Sequence, residues 1–332
     1  MNIKTGEIPT SYTAEADDTG KRLDAFLAER IEGWSRSRLQ RLITDCDVLV
    51  NEKAVKASYK LQEGDEIDVE LTEIVVAKFE AENIPLDIVY EDEFLAVVNK
   101  PSGMVVHPGA GVQHGTLANA IAFHFGIENV EIEFEADVED HEKIQKLKSR
   151  VGIVHRLDKD TSGLIVVAKN EEIHEALSAQ FRDREVFKSY LALVHGSPRE
   201  NTGKIEAHIA RNKHNRLRMK VGSAGRYALS LWKVRQRFEK FTLLEVEIKT
   251  GRTHQIRVHM GFINHPVVGD EIYNEGRDNT VANLDVRRAT EKLGRFFLHA
   301  EKLSFTHPES GEKLEFIQPL PPELLDFLDV LQ

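Results

Sequence analysis

The sequence has 332 residues, which is enough for two domains at roughly 150 residues each. With 41% hydrophobic and 30% charged residues, its composition is that of an ordinary globular protein. No apolar run approaches the roughly 18 residues of a membrane-spanning helix, and the polar, acidic N-terminus is unlike a secretory signal. The single cysteine, Cys46, excludes an internal disulfide and a multi-cysteine zinc site. These features predict a cytoplasmic protein with no membrane partner.

The net charge of −11 is unevenly distributed along the chain. Residues 207–238 contain nine Lys and Arg and no acid, whereas residues 128–142 contain eight acids and no Lys or Arg. Binding of a polyanion depends on local fields rather than on the summed charge, so the acidic total does not exclude a nucleic-acid partner. Each stretch taken alone is equally well explained as a solvated surface.

Residues 1–19 are polar and are predicted to be flexible. Apolar residues then recur at helical spacing from Leu23 to Ile31, which predicts a first amphipathic helix. Gly33 ends this pattern, and Ser35 is a candidate N-cap of a second helix. Short strand-like runs follow at 48–50 and 66–71.

Two short helices, the second rich in arginine, followed by a small β hairpin resemble the S4 RNA-binding module. The segments that carry this resemblance are Arg22-Leu23-Asp24, Ser35-Arg36-Ser37-Arg38-Leu39-Gln40-Arg41-Leu42-Ile43 and Val48-Leu49-Val50-Asn51. The resemblance implies an S4-like domain at residues 20–80, with Arg36, Arg38 and Arg41 available to RNA phosphates. A generic helical subdomain with a charged face is the alternative.

Residues 73–85 are predicted to link this module to a larger domain at 86–332. From residue 86 onward, strand-like segments alternate with helical ones, including a helix over 171–181 and a strand over 243–248. Short strands outnumber helices, and their spacing is more typical of hairpins than of βαβ units. The sequence therefore predicts an α+β fold with a mixed, mainly antiparallel sheet.

The densest polar cluster in an apolar context is His155-Arg156-Leu157-Asp158-Lys159-Asp160-Thr161-Ser162-Gly163. It lies between the apolar runs 151–154 and 164–168, and loops between buried strands are where a fold often presents reactive groups. The composition alone is also that of a simple turn. A further interpretation is an Asp-x-Asp-x-Thr phosphotransferase pattern, in which Asp158 would be a nucleophile that binds magnesium beside Asp160.

These nine consecutive residues resemble the signature of the large-ribosomal-RNA (RluA/RluD-like) class of pseudouridine synthases. Other segments of that class follow in the same order, at residues 99–108, 187–196, 250–260 and 265–270. The resemblance extends from about Arg22 to Pro319 and places the S4-like module where the class carries it. The phosphotransferase pattern lacks a downstream Asp pair, which weakens that hypothesis.

The resemblance implies roles for five residues of the larger domain. Asp158 is the catalytic carboxylate, and Arg257 pairs with it and keeps it ionised. Tyr190 lies against the uracil, where it stacks and transfers a proton at C5. Arg156 fills the space left when the base is flipped out, and Ile256 is an apolar wall of the pocket.

The expected reaction is an isomerisation, so the sequence predicts no organic cofactor and no metal. His254 and His259 are five positions apart in a strand-like run, which does not favour a zinc site. The expected partner is RNA, specifically 23S-type ribosomal RNA or a ribosomal assembly particle, bound by a monomer. Two alternatives stay open: a non-catalytic RNA-binding or assembly factor on the same scaffold, and a magnesium-dependent phosphotransferase.

Overall fold

The structure is a computed structural model. It describes residues 11–31, 34–44, 48–51, 53–69, 74–108, 112–127, 130–135, 152–212, 215, 218–222 and 225–332. For residues 38, 41, 74–79 and 130–135 it describes the backbone only. The chain divides into two compact units, Met1–Thr72 with His208–Tyr227, and Glu73–Ala207 with Ala228–Gln332.

In its described residues, the first unit contains two α-helices and a four-stranded sheet. The helices are α1 (Leu23–Arg30) and α2 (Arg36–Thr44), and the strands are β1 (Ser11–Thr13), β2 (Val48–Val50), β3 (Lys53–Ala54) and β4 (Glu66–Val69). The strand order is β1-β4-β2-β3, with antiparallel pairs throughout. Leu23, Phe26 and Leu27 of α1 pack with Leu39 and Ile43 of α2 in a core that has almost no exposed surface. The predicted helical spacing is therefore the spacing of the buried face.

The prediction of a flexible segment at residues 1–19 is wrong for its second half, and residues 1–10 lie outside the described residues. Ser11–Thr13 pairs with β4, and Ala14 is buried in the core of the unit. Asp18 is also buried, where it accepts hydrogen bonds from Lys21 and Arg30. A strand of three residues is too short to show periodicity, and its stability comes from β4, which lies more than 50 residues away.

The second unit is built on a long, mostly antiparallel sheet. Its strands are ordered β11-β13-β14-β10-β15-β9-β7-β6, with β16 also paired to β15. These strands are β6 (Asp87–Glu91), β7 (Leu95–Lys100), β9 (Ser162–Ala168), β10 (Phe187–His195), β11 (Thr202–Arg211), β13 (Arg226–Arg237), β14 (Phe241–Ile248), β15 (Leu298–Thr306) and β16 (Lys313–Ile317). The predicted α+β class with a mixed, mainly antiparallel sheet is confirmed.

Among the described residues, five helices accompany this sheet: α3 (Leu117–His124), α4 (Glu171–Arg182), α5 (Gln255–Phe262), α6 (Leu284–Leu293) and α7 (Pro322–Val330). Asn170 caps α4 through a hydrogen bond that its side chain accepts from the Ile173 amide, and Asn283 caps α6 in the same way. Within the first unit, residues 209–211 pair antiparallel with β12 (Met219–Val221). No helix in the described part of the chain is long and apolar enough to cross a membrane.

The predicted linker and the acidic stretch form a second, two-stranded sheet. β5 (Ile74–Phe79) pairs antiparallel with β8 (Val130–Glu135), so residues 74–79 are not an unstructured linker. The alternation of acid and apolar residues at 131–135 was the available signal. Residues 136–151, which include the rest of the acidic stretch, lie outside the described residues, as does Cys46.

One glycine fixes the point at which the polar loop joins the sheet. β9 pairs in parallel with β15 through Ser162 and Gly163, directly after the loop that carries Asp158. Gly163 has a φ of +114°, and a Cβ there would lie 2.3 Å from the Ala300 carbonyl oxygen. Only glycine permits both this conformation and this close approach of two backbones. The loop therefore ends at a fixed point of the sheet.

Candidate active site

Asp158 lies on the loop that enters β9. The loop turns back on itself through a hydrogen bond from the Thr161 amide to the Asp158 carbonyl oxygen, at 3.1 Å. Behind the loop, the fully buried Lys100 donates from Nζ to the carbonyl oxygens of Lys159, Pro101 and Met104 at 2.8–3.0 Å. These hydrogen bonds join the segment after β7 to the loop, so they hold the backbone beside Asp158 in place.

Arg257 is contributed by α5, a helix buried over its first six residues. Gln255 begins the helix and is fixed by its own side chain, whose Oε1 accepts from Thr250 Oγ1 and the Arg252 amide. His254, the residue before the helix, has a left-handed φ of +51°. The strand-like run predicted around His254 and His259 is therefore wrong, since Gln255–Phe262 is a helix. All residues from Gln255 to Met260 are buried, which removes the amphipathic periodicity that identifies a helix in sequence.

The predicted contact between Asp158 and Arg257 is present. Arg257 Nη1 donates to Asp158 Oδ2 at 3.1 Å. The guanidinium is almost completely buried, whereas the Asp158 side chain keeps 22% of its surface exposed. Arg257 also lies over the Phe296 ring at 4.3 Å, which fixes the plane of the guanidinium. The carboxylate is thus held from one side and accessible from the other.

The structure brings all five predicted residues of the larger domain to one pocket of about 50 Å³. Arg156, Asp158, Tyr190, Ile256 and Arg257 all line it. The remaining wall includes a hydroxyl group and two apolar side chains, which belong to Thr161, Ile248 and Leu298. Asp158 and Arg257 also line a larger cavity of about 710 Å³. The carboxylate of Asp158, the phenol of Tyr190 and the guanidiniums of Arg156 and Arg257 therefore share one partly apolar cleft.

The electrostatic environment keeps Asp158 ionised. Burial alone would raise the pKa of this carboxyl, but the positive charges of His254, Arg257 and Arg156 outweigh it, and the pKa lies below its ordinary value. Burial, and then the charge of Asp158, raise the pKa of the Tyr190 hydroxyl. The pocket therefore combines an ionised carboxylate with a neutral phenol at neutral pH.

The three predicted phosphate-binding arginines lie on α2 of the first unit, and the side chains of Arg38 and Arg41 are outside the described part. Arg36 keeps about half of its side-chain surface exposed and reaches the buried carboxylate of Asp24 at 3.2 Å. Arg22 donates to the same carboxylate from Nε and Nη2, at 3.0 Å each. One buried acid thus holds two solvent-facing guanidiniums side by side.

Family models of known proteins match both parts of the chain. A model described as RNA pseudouridylate synthase matches residues 94–261, and the S4 domain model matches residues 21–67. The chain belongs to the RNA pseudouridylate synthase family. It carries an N-terminal S4 domain, as the sequence resemblance implied.

Individual relatives support this family assignment. The chain is 41% identical over 304 residues to the uncharacterized RNA pseudouridine synthase YlyB of Bacillus subtilis, covering 90% of each chain. It is 42% identical over 304 residues to ribosomal large subunit pseudouridine synthase D of Neisseria meningitidis serogroup A, covering 90% of this chain and 76% of that one. Among solved structures, human RNA pseudouridylate synthase domain containing 1 matches with a TM-score of 0.53 and 27% identity, over 73% of this chain and 87% of that chain.

Two residues of the synthase site were missed in the sequence. The sequence suggests for His254 only a role as a zinc ligand, yet its positive charge acts on Asp158, and its Nδ1 lies 2.8 Å from the Tyr273 hydroxyl. Asp270 is fully buried and binds Arg257 through two hydrogen bonds. An arginine inside an apolar segment was the available signal, since a buried guanidinium needs carboxylate partners.

The two histidines weighed for zinc face different partners. His259 Nδ1 lies 2.9 Å from Ser230 Oγ, and burial lowers the pKa of its imidazole to about 4, whereas His254 contacts Tyr273. Over the described residues, no group of three or more His, Cys, Asp or Glu side chains is placed to hold a metal ion.

Proposed function

We propose that the synthase converts specific uridines of large-subunit ribosomal RNA into pseudouridine, with Asp158 as its catalytic carboxylate. The observation that carries the proposal is the single pocket that gathers Asp158, Tyr190 and Arg257. The Neisseria relative described as ribosomal large subunit pseudouridine synthase D supports the substrate class. In this proposal the enzyme is a cytoplasmic monomer, residues 20–80 bind the RNA, and residues 86–332 carry out the isomerisation.

The reaction breaks the bond between uracil N1 and ribose C1′ and joins C5 to C1′. Two routes are open to Asp158, attack on C1′ and removal of a proton, and both require an ionised carboxylate. His254 and Arg257 supply this condition, since their charges lower the pKa of Asp158 against the effect of burial. Because Arg257 donates through Nη1 to Oδ2, it also fixes the direction of the carboxylate.

Tyr190 serves the base rather than the sugar in this proposal. Its ring lies on the wall of the pocket, where uracil can stack on it. The raised pKa of its hydroxyl means that the phenol is neutral in the resting enzyme. In the isomerisation uracil N1 gains a proton and C5 loses one, so the hydroxyl proton that Tyr190 gives up to N1 is replaced by the proton that its oxygen accepts from C5.

The pocket of about 50 Å³ shares Arg156, Asp158 and Arg257 with the larger cavity of about 710 Å³. Arg156 lines both this pocket and the larger cavity, and it is partly exposed at their junction. We propose that Arg156 leaves this position when the uridine is flipped out and then fills the gap in the RNA.

Mapping of pseudouridines in ribosomal RNA from cells with and without the gene tests this function. We expect one or a few large-subunit positions to lose the modification, and the purified protein to restore it on RNA or on ribosomal particles from the deficient cells. Unchanged maps together with an inactive purified protein would favour the non-catalytic assembly factor. Pseudouridine formation in excess EDTA, on RNA that keeps its fold, would argue against the magnesium-dependent phosphotransferase.

A further inference from the structure

Arg257 is shared between two carboxylates of very different exposure. Its Nε and Nη2 donate to Oδ2 and Oδ1 of Asp270, at 2.6 and 3.0 Å. Asp270 is fully buried, whereas Asp158 opens into the pocket. A bidentate pair through Nε and Nη2 is the geometry in which arginine binds a carboxylate most firmly. The edge of the guanidinium that Nε and Nη2 form is therefore occupied by Asp270 and faces away from Asp158.

This arrangement determines how Asp158 is bound. With Nε and Nη2 occupied by Asp270, Arg257 presents Nη1 to Asp158 Oδ2. A guanidinium that was not anchored in this way could rotate and bind both oxygens of Asp158 through its favoured edge. Such a bidentate pair would reduce the reactivity of the carboxylate, because both oxygens would be neutralised and fixed.

Asp270 is also connected, through Tyr273, to His254, whose charge acts on Asp158. Its Oδ1 accepts hydrogen bonds from the backbone amides of Ile272 and Tyr273, at 3.0 and 3.1 Å. Tyr273 in turn contacts His254 through its hydroxyl, and its ring lies 5.1 Å from the Arg257 guanidinium carbon. One buried carboxylate thus fixes Arg257 directly and the partner of His254 through the backbone.

The backbone around Asp270 is shaped for this contact. The preceding Gly269 has a φ of +76°, and a Cβ there would lie 2.3 Å from the Arg295 carbonyl oxygen. The chain can therefore turn at this point only with glycine, and the turn brings the Asp270 carboxylate under the guanidinium. A buried aspartate with a bidentate partner is costly to replace, and this one has no solvent contact of its own.

We propose that Asp270 is a positioning residue for the isomerisation. It binds Nε and Nη2 of Arg257, so that Arg257 contacts Asp158 through Nη1 and leaves the other oxygen of the Asp158 carboxylate to the reaction. The inference rests on the proposed function of Asp158. Replacement of Asp270 should slow the chemical step without a matching loss in RNA affinity. The reason is that Asp158 lines the pocket, whereas Asp270 is fully buried and does not line it.

The test compares Asp270→Asn with Asp278→Asn in single-turnover assays on ribosomal RNA from cells lacking the gene. The Asn side chain keeps the shape of Asp270, and its carbonyl oxygen can still accept from Ile272, Tyr273 and Arg257 Nη2. Its amide nitrogen cannot accept the hydrogen bond from Arg257 Nε, so the bidentate pair is lost. A displacement of catalytic groups by about 1 Å can cost ~10²-fold in rate. We expect a loss of at least about tenfold in the saturated rate and a change of less than about threefold in the RNA dissociation constant.

Asp278→Asn is the matched control, since Asp278 anchors the same segment without a hydrogen bond to Arg257. It accepts from the Gly269 amide and lies 2.7 Å from His195 Nε2. If both variants lost rate equally, loosening of the segment would explain the effect and the proposal would be overturned. A full rate for Asp270→Asn would overturn it as well.

A double variant separates positioning from a general structural role. If Asp270 acts through Arg257, adding Asp270→Asn to Arg257→Lys should slow the reaction by less than about threefold beyond Arg257→Lys alone. Rate losses that multiply would mean that Asp270 acts independently of Arg257. Should Asp270→Asn fail to fold, Asp270→Glu keeps the buried charge but displaces the guanidinium, and an unchanged rate for this variant would contradict the proposal. Absence of pseudouridine formation by the wild-type protein would instead refute the proposed function.

Discussion

Arg257 follows Asp158 by 99 positions in the chain, yet its Nη1 lies 3.1 Å from Asp158 Oδ2 in the folded protein. The pair joins the loop before β9 to a buried helix, α5, and it places an ionised carboxylate at the edge of a pocket that also contains Tyr190. The chemistry proposed for this protein depends on that pairing, because an unpaired buried carboxyl would tend to be protonated.

Replacing Asp158 by Asn should abolish pseudouridine formation. The amide is nearly isosteric, so the fold and the RNA dissociation constant should change little, but it can neither attack C1′ nor accept a proton as the carboxylate does. The rate should fall by at least about 10³-fold, measured as conversion in a single-turnover assay. Asp160→Asn, on the same loop, is the control and should keep most of the activity. Turnover by Asp158→Asn, with deamidation excluded by mass spectrometry, would contradict the assignment.

Tyr190→Phe should separate stacking from proton transfer. The ring is retained, so RNA binding should remain within about threefold of the wild type, whereas turnover should fall by about 10²-fold because general acid–base help is removed. Tyr90→Phe is the matched control, since the Tyr90 hydroxyl donates to Asp92 outside the pocket. Equal turnover for Tyr190→Phe would leave Tyr190 only a stacking role.

The acid side of the pH profile should report the ionisation of Asp158. The pKa of this carboxyl is lowered, so the active, ionised form persists below the ordinary range of aspartate, and activity is lost only as the pH falls through the lowered pKa. Removing a nearby positive charge raises that pKa. His254→Asn should therefore move the acid limb to higher pH by about half a unit to one unit.

The control for this shift is His124→Asn, since His124 pairs with Glu91 near the protein surface. Its acid limb should coincide with that of the wild type. If the His254 and His124 variants both kept the wild-type profile, the charge of His254 would have no effect on the catalytic group. The measurement is the saturated rate from about pH 2.5 to pH 7, a range that extends below the ordinary aspartate pKa of about 3.9, with the fold monitored at each pH.

Arg22 and Arg36 of the S4 domain should contribute affinity rather than chemistry. Both guanidiniums are held by Asp24 and reach solvent, where they can bind phosphates. Replacing both by Gln should weaken RNA binding at low salt and reduce the slope of log K against log salt by roughly 0.7–0.9 for each phosphate that is no longer neutralised. The saturated rate should not change. Arg182→Gln, on the second unit, is the control, and an unchanged slope for the double variant would remove these arginines from the RNA interface.

Features that depend on the local order of residues could be predicted before the fold was known. Helical spacing from Leu23 to Ile31 identified the buried face of α1, and the sequence motifs typical of the family identified the synthase domain and the S4 domain. Alternating and short apolar runs indicated an α+β fold with a mainly antiparallel sheet. These inferences succeeded because periodicity and motif spacing are properties of neighbouring residues.

Features that depend on partners far along the chain became visible in the folded protein alone. β1 and β5 are stabilised by strands far along the chain, so polar or linker-like sequence concealed them. α5 is buried over its first six residues, which erases the helical period and made its sequence resemble a strand. Asp270 and His254 acquire their relation to Asp158 only when the fold closes around Arg257. A buried guanidinium needs carboxylate partners, but which acid supplies them is fixed by packing in three dimensions and not by position in the chain.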